Sequence, residues 1–142
     1  MKKECELKIK IIPLSSALGK DELVRLSRMH DFHVFDLDSV KNELQVKLAF
    51  FHAEKAFEER RNISKDTPLE IMARLAATRQ IAEAIAKAGI KNPSRIIAAY
   101  KAGTPGIDET KLKKMLKARR IPWKQTDAEK EIRKMVETEI EE

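Results

Sequence analysis

The chain has 142 residues, of which 42% are hydrophobic and 37% are charged. A chain this long buries roughly two thirds of its unfolded surface, so the composition predicts a single domain over residues 1–142 and excludes a disordered protein. The lone cysteine, Cys5, excludes a disulfide framework and favours a cytoplasmic location. No apolar run reaches the roughly 20 residues of a membrane span, and we expect no signal peptide at the amino terminus.

The net charge of +6 is carried by the second half of the chain. Residues 1–71 hold 13 basic and 13 acidic side chains, whereas residues 111–124 hold seven lysines and arginines and no acid. This asymmetry predicts an anionic partner, and nucleic acid is the first candidate. A solvated, lysine-rich helix face is the alternative explanation.

Hydrophobic periodicity predicts three strands and six helices. In chain order these are a strand over 6–11 that ends at Pro13, a helix over 21–30, a strand over 31–37, helices over 39–60, 67–75 and 79–88, a strand over 95–100, and helices over 109–119 and from 126 onward. The first strand is predicted from alternating polar and apolar residues, and Ile85 is expected to face inward from the helix over 79–88. A turn is predicted over 103–106, and Asp108 is predicted to cap the helix that follows it. The helices and strands do not alternate strictly, which disfavours a doubly wound nucleotide-binding fold. The pattern predicts the α/β class in its α+β form: a helix-rich single domain with a small mixed sheet packed by helices.

Several helix ends carry recognisable capping residues. Thr67, with Pro68 and Glu70 behind it, has the spacing of a capping box. Thr78 is predicted to cap the next helix, and Gly89 to end that helix in the left-handed conformation. These signals place two helix amino termini, with their free N–H groups, close together in the sequence.

The sequence offers no motif for catalysis. The chain has four glycines and no glycine-rich phosphate loop, and its single cysteine forms no Cys-x-x-Cys pair. His30 and His33 lack a third metal ligand nearby, and His52 lies on an apolar helix, where a packed histidine is expected more often than a general base. We therefore predict no catalytic residue, no metal and no cofactor, and disfavour an enzyme.

A group of polar residues surrounds the two predicted helix starts. Arginine pairs with phosphate and stacks on bases, and helix amino termini attract anions. The group is predicted to bind RNA, although ordinary capping and surface charge explain it equally well. Its members are Arg61, Asn62, Lys65, Arg74, Arg79 and Gln80.

Two stretches in this region resemble a known family. Residues 51–66 read FHAEKAFEERRNISKD and residues 69–85 read LEIMARLAATRQIAEAI. The order Asn-Ile-Ser-Lys-Asp, Leu-Glu-Ile-Met, Arg-Gln-Ile is similar to that of the Cgi-type small accessory subunits of the KEOPS/EKC tRNA threonylcarbamoyladenosine complex. The resemblance covers residues 40–90 and is weak from Lys101 onward. Ala76 and Ala77 stand where the family usually has Ser-Gly, and Lys65 where it usually has Arg.

The resemblance implies a non-catalytic subunit. Family members bind the small atypical kinase/ATPase subunit of KEOPS, engage the 3′ CCA end of tRNA, and support threonylcarbamoyl-adenosine modification of ANN-decoding tRNAs. For the kinase we expect an exposed apolar stripe of Met135, Val136 and Ile140, unless this stripe simply covers the sheet. A free-standing basic nucleic-acid-binding domain without a kinase partner is the alternative function. For tRNA, the basic segment 111–124 is the surface that competes with the group around the two helix starts.

Overall fold

The computed structural model describes residues 8–140. Its elements are β1 (Ile9–Ser16), α1 (Lys20–His30), β2 (His33–Asp36), α2 (Glu43–Glu58), α3 (Thr67–Ala76), α4 (Ile81–Ala88), β3 (Ile96–Lys101), α5 (Glu109–Met115), β4 (Ala118–Arg120) and α6 (Glu129–Ile140). The predicted α+β class is confirmed. None of the described helices combines the length and the apolar character that a membrane crossing requires. Cys5 lies outside the described residues.

The described chain forms two compact units, each assembled from two separate segments. The first unit comprises residues 8–38 and 90–124, and the second comprises residues 39–89 and 125–140. All four strands, α1 and α5 belong to the first unit, and α2, α3, α4 and α6 belong to the second. The single domain over residues 1–142 stays a prediction.

The first unit is built on a four-stranded sheet in the order β2-β3-β1-β4. Its three strand pairings are all antiparallel, so the predicted mixed sheet is wrong. Central strand β3 is buried along its length up to Tyr100. One hydrophobic cluster of the unit combines sheet and helix residues: Ile12, Leu14, Leu23, Phe32, Val34, Ile90, Ile96, Ala98, Tyr100, Ile107, Leu112 and Leu116.

Strand β1 continues to Ser16, whereas the sequence predicted that it would end at Pro13. Pro13 lies opposite Ile97 of β3, and its carbonyl accepts a hydrogen bond from the N–H of Ile121 at 3.1 Å. In an antiparallel pair the N and O of one residue point to the same side. The missing N–H of Pro13 therefore faces the β4 side, and the β1–β3 ladder loses no hydrogen bond.

Strand β4 replaces the end of a predicted helix. Asp108 caps α5 as predicted, accepting a hydrogen bond from the Lys111 N–H at 2.8 Å, but the helix ends at Met115 and not at Arg119. Lys117 then adopts a left-handed conformation with φ of 50°. This single residue turns the chain, so that Ala118–Arg120 pairs with β1 at the edge of the sheet.

Helix α4 also differs from its prediction. Its buried residues are Ala84 and Ala88, whereas Ile85, expected to face inward, is exposed. Gly89 is not left-handed, since its φ is −70°. A Cβ atom on Gly89 would lie 2.6 Å from the carbonyl oxygen of Ile85, so close packing and not backbone freedom requires glycine here.

The left-handed residue of this region is Ala77, which ends α3 with φ of 55° and ψ of 49°. Its N–H bonds the carbonyls of Ala73 and Arg74, so the backbone geometry of a glycine cap is kept. A left-handed alanine costs roughly 1–2 kcal/mol because its Cβ crowds the next carbonyl. Ala77 keeps the left-handed conformation in spite of the strain.

We expect Ala77→Gly to raise the free energy of unfolding by about 0.5–1 kcal/mol, because the relief of strain exceeds the entropy that glycine adds to the unfolded chain. Ala76→Gly, one residue earlier in the right-handed helix, is the matched control and should lower it by about 0.5–1 kcal/mol. Urea unfolding of both variants measures the difference. A loss of stability in Ala77→Gly would contradict the assignment of a strained, left-handed conformation to Ala77.

Candidate functional site

Glu70 of α3 is the centre of the candidate site and has no exposed surface. Its Oε1 accepts hydrogen bonds from the N–H groups of Ile63 at 2.9 Å and Ser64 at 2.8 Å. Its Oε2 accepts from Nε and Nη2 of Arg74 at 3.1 and 2.5 Å. One buried carboxylate thus joins the loop that precedes α3 to the last turn of the helix.

Arg74 continues this network into α6. It is 2% exposed, and its Nη1 pairs with Oε2 of Glu139. The other oxygen of Glu139 accepts from Nη1 of Arg61 at 2.9 Å, and Arg61 also contacts Glu59 through Nε at 2.7 Å. We call the three inner residues the Glu70–Arg74–Glu139 network. It satisfies a buried guanidinium with two carboxylates, as burial of a charge requires.

His52 lies beside this network. Burial lowers the pKa of His52, and the positive charges of Arg74 and Arg61 act in the same direction against the opposing effect of Glu139. This environment favours the neutral imidazole. Its ring meets that of Phe51 edge-on at 5.4 Å between centroids. This environment agrees with a packed histidine. Within residues 8–140, no three His, Cys, Asp or Glu side chains converge as metal ligands.

The structure divides the six residues that were predicted to bind RNA. Arg74 is buried in the network, and its guanidinium is not available at a surface. Arg61 is partly buried against Glu139. Asn62 is partly buried, and its side chain donates to the carbonyl of Ser64 at 3.0 Å.

Three of the six, Lys65, Arg79 and Gln80, are exposed. Lys65 precedes the start of α3, and the other two precede the first helical residue of α4. These three remain the candidates for contact with an external ligand.

Both helix starts differ from the predicted caps. The N-cap residues are Asp66 for α3 and Gln80 for α4, and neither side chain makes a capping hydrogen bond. Thr67 is the first helical residue, and Glu70 bonds the preceding loop in place of closing a capping box. An uncapped amino terminus keeps N–H groups that can bind an anion.

Thr78 lies two residues before the cap of α4. Its hydroxyl accepts from the N–H of Gln80 at 3.1 Å and donates to Glu83 at 2.7 Å. This hydrogen bond, together with Lys87, lowers the pKa of Glu83. The ionised Glu83 is paired with Lys87 at 3.3 Å, which moderates its repulsion of an anion at this helix start.

The predicted apolar stripe of α6 is only partly exposed. Met135 is 1% exposed and belongs to the core of the second unit, so its place in an exposed stripe is wrong. Val136 and Ile140 are 40% and 76% exposed. Within the second unit, helix α6 packs against α2 and α3. On α2, Leu44 and Phe51 are exposed as well, two turns apart.

Sequence reasoning missed Glu70 and Glu139 as the partners of the buried arginine. The spacing of Glu70 and Arg74, four residues apart on one helix, is the spacing of an intrahelical ion pair and could have revealed the first contact. Glu139 is 65 residues away from Arg74. No local pattern connects the two.

We expect Arg74→Ala to lower the free energy of unfolding by about 3 kcal/mol, because it leaves Glu70 buried without its cation. Lys65→Ala, at an exposed cation of the same group, is the control and should change it by less than about 0.5 kcal/mol. Urea unfolding measures both. An Arg74→Ala protein of unchanged stability would show that the network does not support the fold.

The chain was compared with known proteins. Residues 15–140 match the family described as kinase binding protein CGI-121. The comparison with curated proteins gave no match. The matched residues include the whole Glu70–Arg74–Glu139 network and extend far beyond the 40–90 stretch of the resemblance, which they confirm. Because this match covers most of the 142 residues, the chain belongs to the CGI-121 family of kinase-binding proteins.

Proposed function

We propose that this protein is a non-catalytic subunit of a KEOPS-type complex. It binds the small atypical kinase/ATPase subunit and the 3′ CCA end of tRNA, and in this way supports threonylcarbamoyl-adenosine modification of ANN-decoding tRNAs. The match of residues 15–140 to a family of kinase-binding proteins is the observation that carries the proposal. The residues that bear on each partner lie in the second unit.

The proposed kinase contact is the exposed apolar surface of α2 and α6. Val136 and Ile140 are one turn apart on α6, and Leu44 and Phe51 lie on α2, against which α6 packs. Exposed apolar side chains grouped on neighbouring helices are typical of a protein interface. Met135, the residue before Val136, is buried. The core of such an interface excludes charge, so a single acidic residue there is costly.

We expect Val136→Glu/Ile140→Glu to weaken kinase binding at least tenfold, which corresponds to about 1.4 kcal/mol. Lys130→Glu/Lys134→Glu, on exposed positions of the same helix, is the matched control and should leave the affinity within about threefold. Calorimetric titration with the purified kinase provides the measurement. Equal affinities for the two double variants would place the kinase interface elsewhere.

The proposed tRNA contact involves the exposed residues Lys65, Arg79 and Gln80. Arginine binds phosphate in a bidentate way, and the amide of glutamine bonds base edges. The nearby amino termini of α3 and α4 add N–H groups without side-chain caps. A common CCA tail needs little sequence discrimination, so a few such groups suffice. Arg61 and Arg74 contribute by holding the loop and α3.

We expect removal of the CCA tail to weaken tRNA binding about tenfold, and Arg79→Ala to cause a similar loss with intact tRNA. If Arg79 acts on the tail, the variant should cause little further loss with trimmed tRNA, because the two changes remove one interaction. Lys130→Ala is the control. Equal binding of intact and trimmed tRNA would contradict a site for the 3′ end.

The alternative is a basic nucleic-acid-binding domain without a kinase partner. The net charge of +6 and the segment 111–124 favour it over an enzyme. Co-elution of the chain with the KEOPS kinase is expected under the proposed function. Binding of RNA without co-elution would support the alternative.

A further inference from the structure

A basic surface lies at the β4 edge of the sheet in the first unit. Between α5 and β4 the chain forms an open groove of about 400 Å³. Four cations line it together with two small residues: Thr110, Lys113, Lys114, Ala118, Arg119 and Arg120. We call this surface the basic edge. It is separate in sequence from the residues proposed to hold the 3′ end.

The basic edge is held on a rigid support. Leu112 and Leu116 are completely buried in the hydrophobic cluster of the unit. The hydroxyl of Ser16 donates to the carbonyl of Leu116 at 2.6 Å, and the N–H of Ala17 donates to that of Lys117 at 3.0 Å. Because the apolar side chains point into the core, the cations between them are left on the outside.

The positive charge of the basic edge is poorly compensated. One acid, Glu109, pairs with both Arg120 at 2.9 Å and Lys113 at 3.7 Å. Within residues 8–140, Lys114, Lys117 and Arg119 form no ion pair. On α4, by contrast, Lys87 pairs with Glu83. Like charges held together repel one another and oppose folding, so their accumulation favours a role in binding an anion.

We infer that the basic edge binds the phosphate backbone of RNA. The inference rests on the proposed function for the identity of the anion and adds a second contact surface to it. A concave groove between cationic side chains fits a phosphodiester backbone. A lipid surface would call for protruding apolar residues, whereas Leu112 of α5 is buried and Met115 packs against the hydrophobic cluster. Contacts of this kind fix the position of an RNA without reading its sequence.

The test compares two double variants that change the net charge equally. Lys114→Glu/Arg119→Glu alters the basic edge. Lys20→Glu/Lys130→Glu alters exposed lysines at the first turns of α1 and α6, where glutamate is well tolerated. Affinities for intact tRNA, for CCA-trimmed tRNA and for polyglutamate are measured at three salt concentrations. Lys114→Gln/Arg119→Gln repeats the test without adding negative charge.

We expect the basic-edge variant to lose at least tenfold in affinity for both tRNAs, and the magnitude of its salt slope to fall by about two, one for each lost phosphate contact. The control should lose less than about threefold. Equal losses in the two double variants, or equally tight binding of polyglutamate and tRNA by the wild type, would overturn the inference. A CCA effect without a basic-edge effect would refute the inference alone. A basic-edge effect without a CCA effect would refute the proposed 3′-end site alone.

Discussion

The arrangement of the second unit depends on the burial of one positive charge. Arg74 is almost completely enclosed, and its guanidinium is satisfied by Glu70 on its own helix and Glu139 on α6. A buried cation without a partner is costly, so these carboxylates must remain in place. Glu70 in turn binds the backbone of Ile63 and Ser64. The position of α6 and the course of the loop before α3 therefore depend on the same charge.

Because of this dependence, some residues of the family motif support the fold and others are exposed. Of the motif residues, Arg74 is buried and Asn62 is partly buried with its side chain bonded to the backbone, whereas Lys65 and Arg79 are exposed. The same separation occurs in α6. Met135 and Glu139 face the protein, and Val136 and Ile140 face outward. A family motif thus contains both supporting and exposed residues, and only the structure distinguishes them.

The sequence predicted the elements that have a local cause. The alternation that ends in Ile9 and Ile11, the cap at Asp108 and the two positive-φ glycines of the 103–106 turn correspond to observed features. Strand β4 was missed because its three residues form a strand only by pairing with β1 across the sheet. The prediction that Pro13 ends β1 was wrong because the sequence does not reveal which neighbouring strand its missing N–H faces.

The candidate site was predicted only in part, for a similar reason. Composition and spacing identified the arginines, but their burial depends on Glu139, which is far away in the sequence. Ala77 was recognised as a departure from the usual Ser-Gly, and the structure keeps the left-handed backbone there. The sequence could not show that the charge of the basic edge is poorly compensated, because this depends on which acids lie nearby in the structure. Sequence patterns therefore located the relevant segments, and three-dimensional contacts assigned their roles.

The central claim is that the kinase binds the exposed apolar surface of α2 and α6. Hydrogen–deuterium exchange of the chain, alone and with the kinase, tests it most directly. The account predicts slower exchange on binding in peptides that cover residues 43–52 and 132–140, with unchanged exchange over residues 109–120. Slower exchange confined to residues 109–120, with no change in α2 and α6, would contradict it.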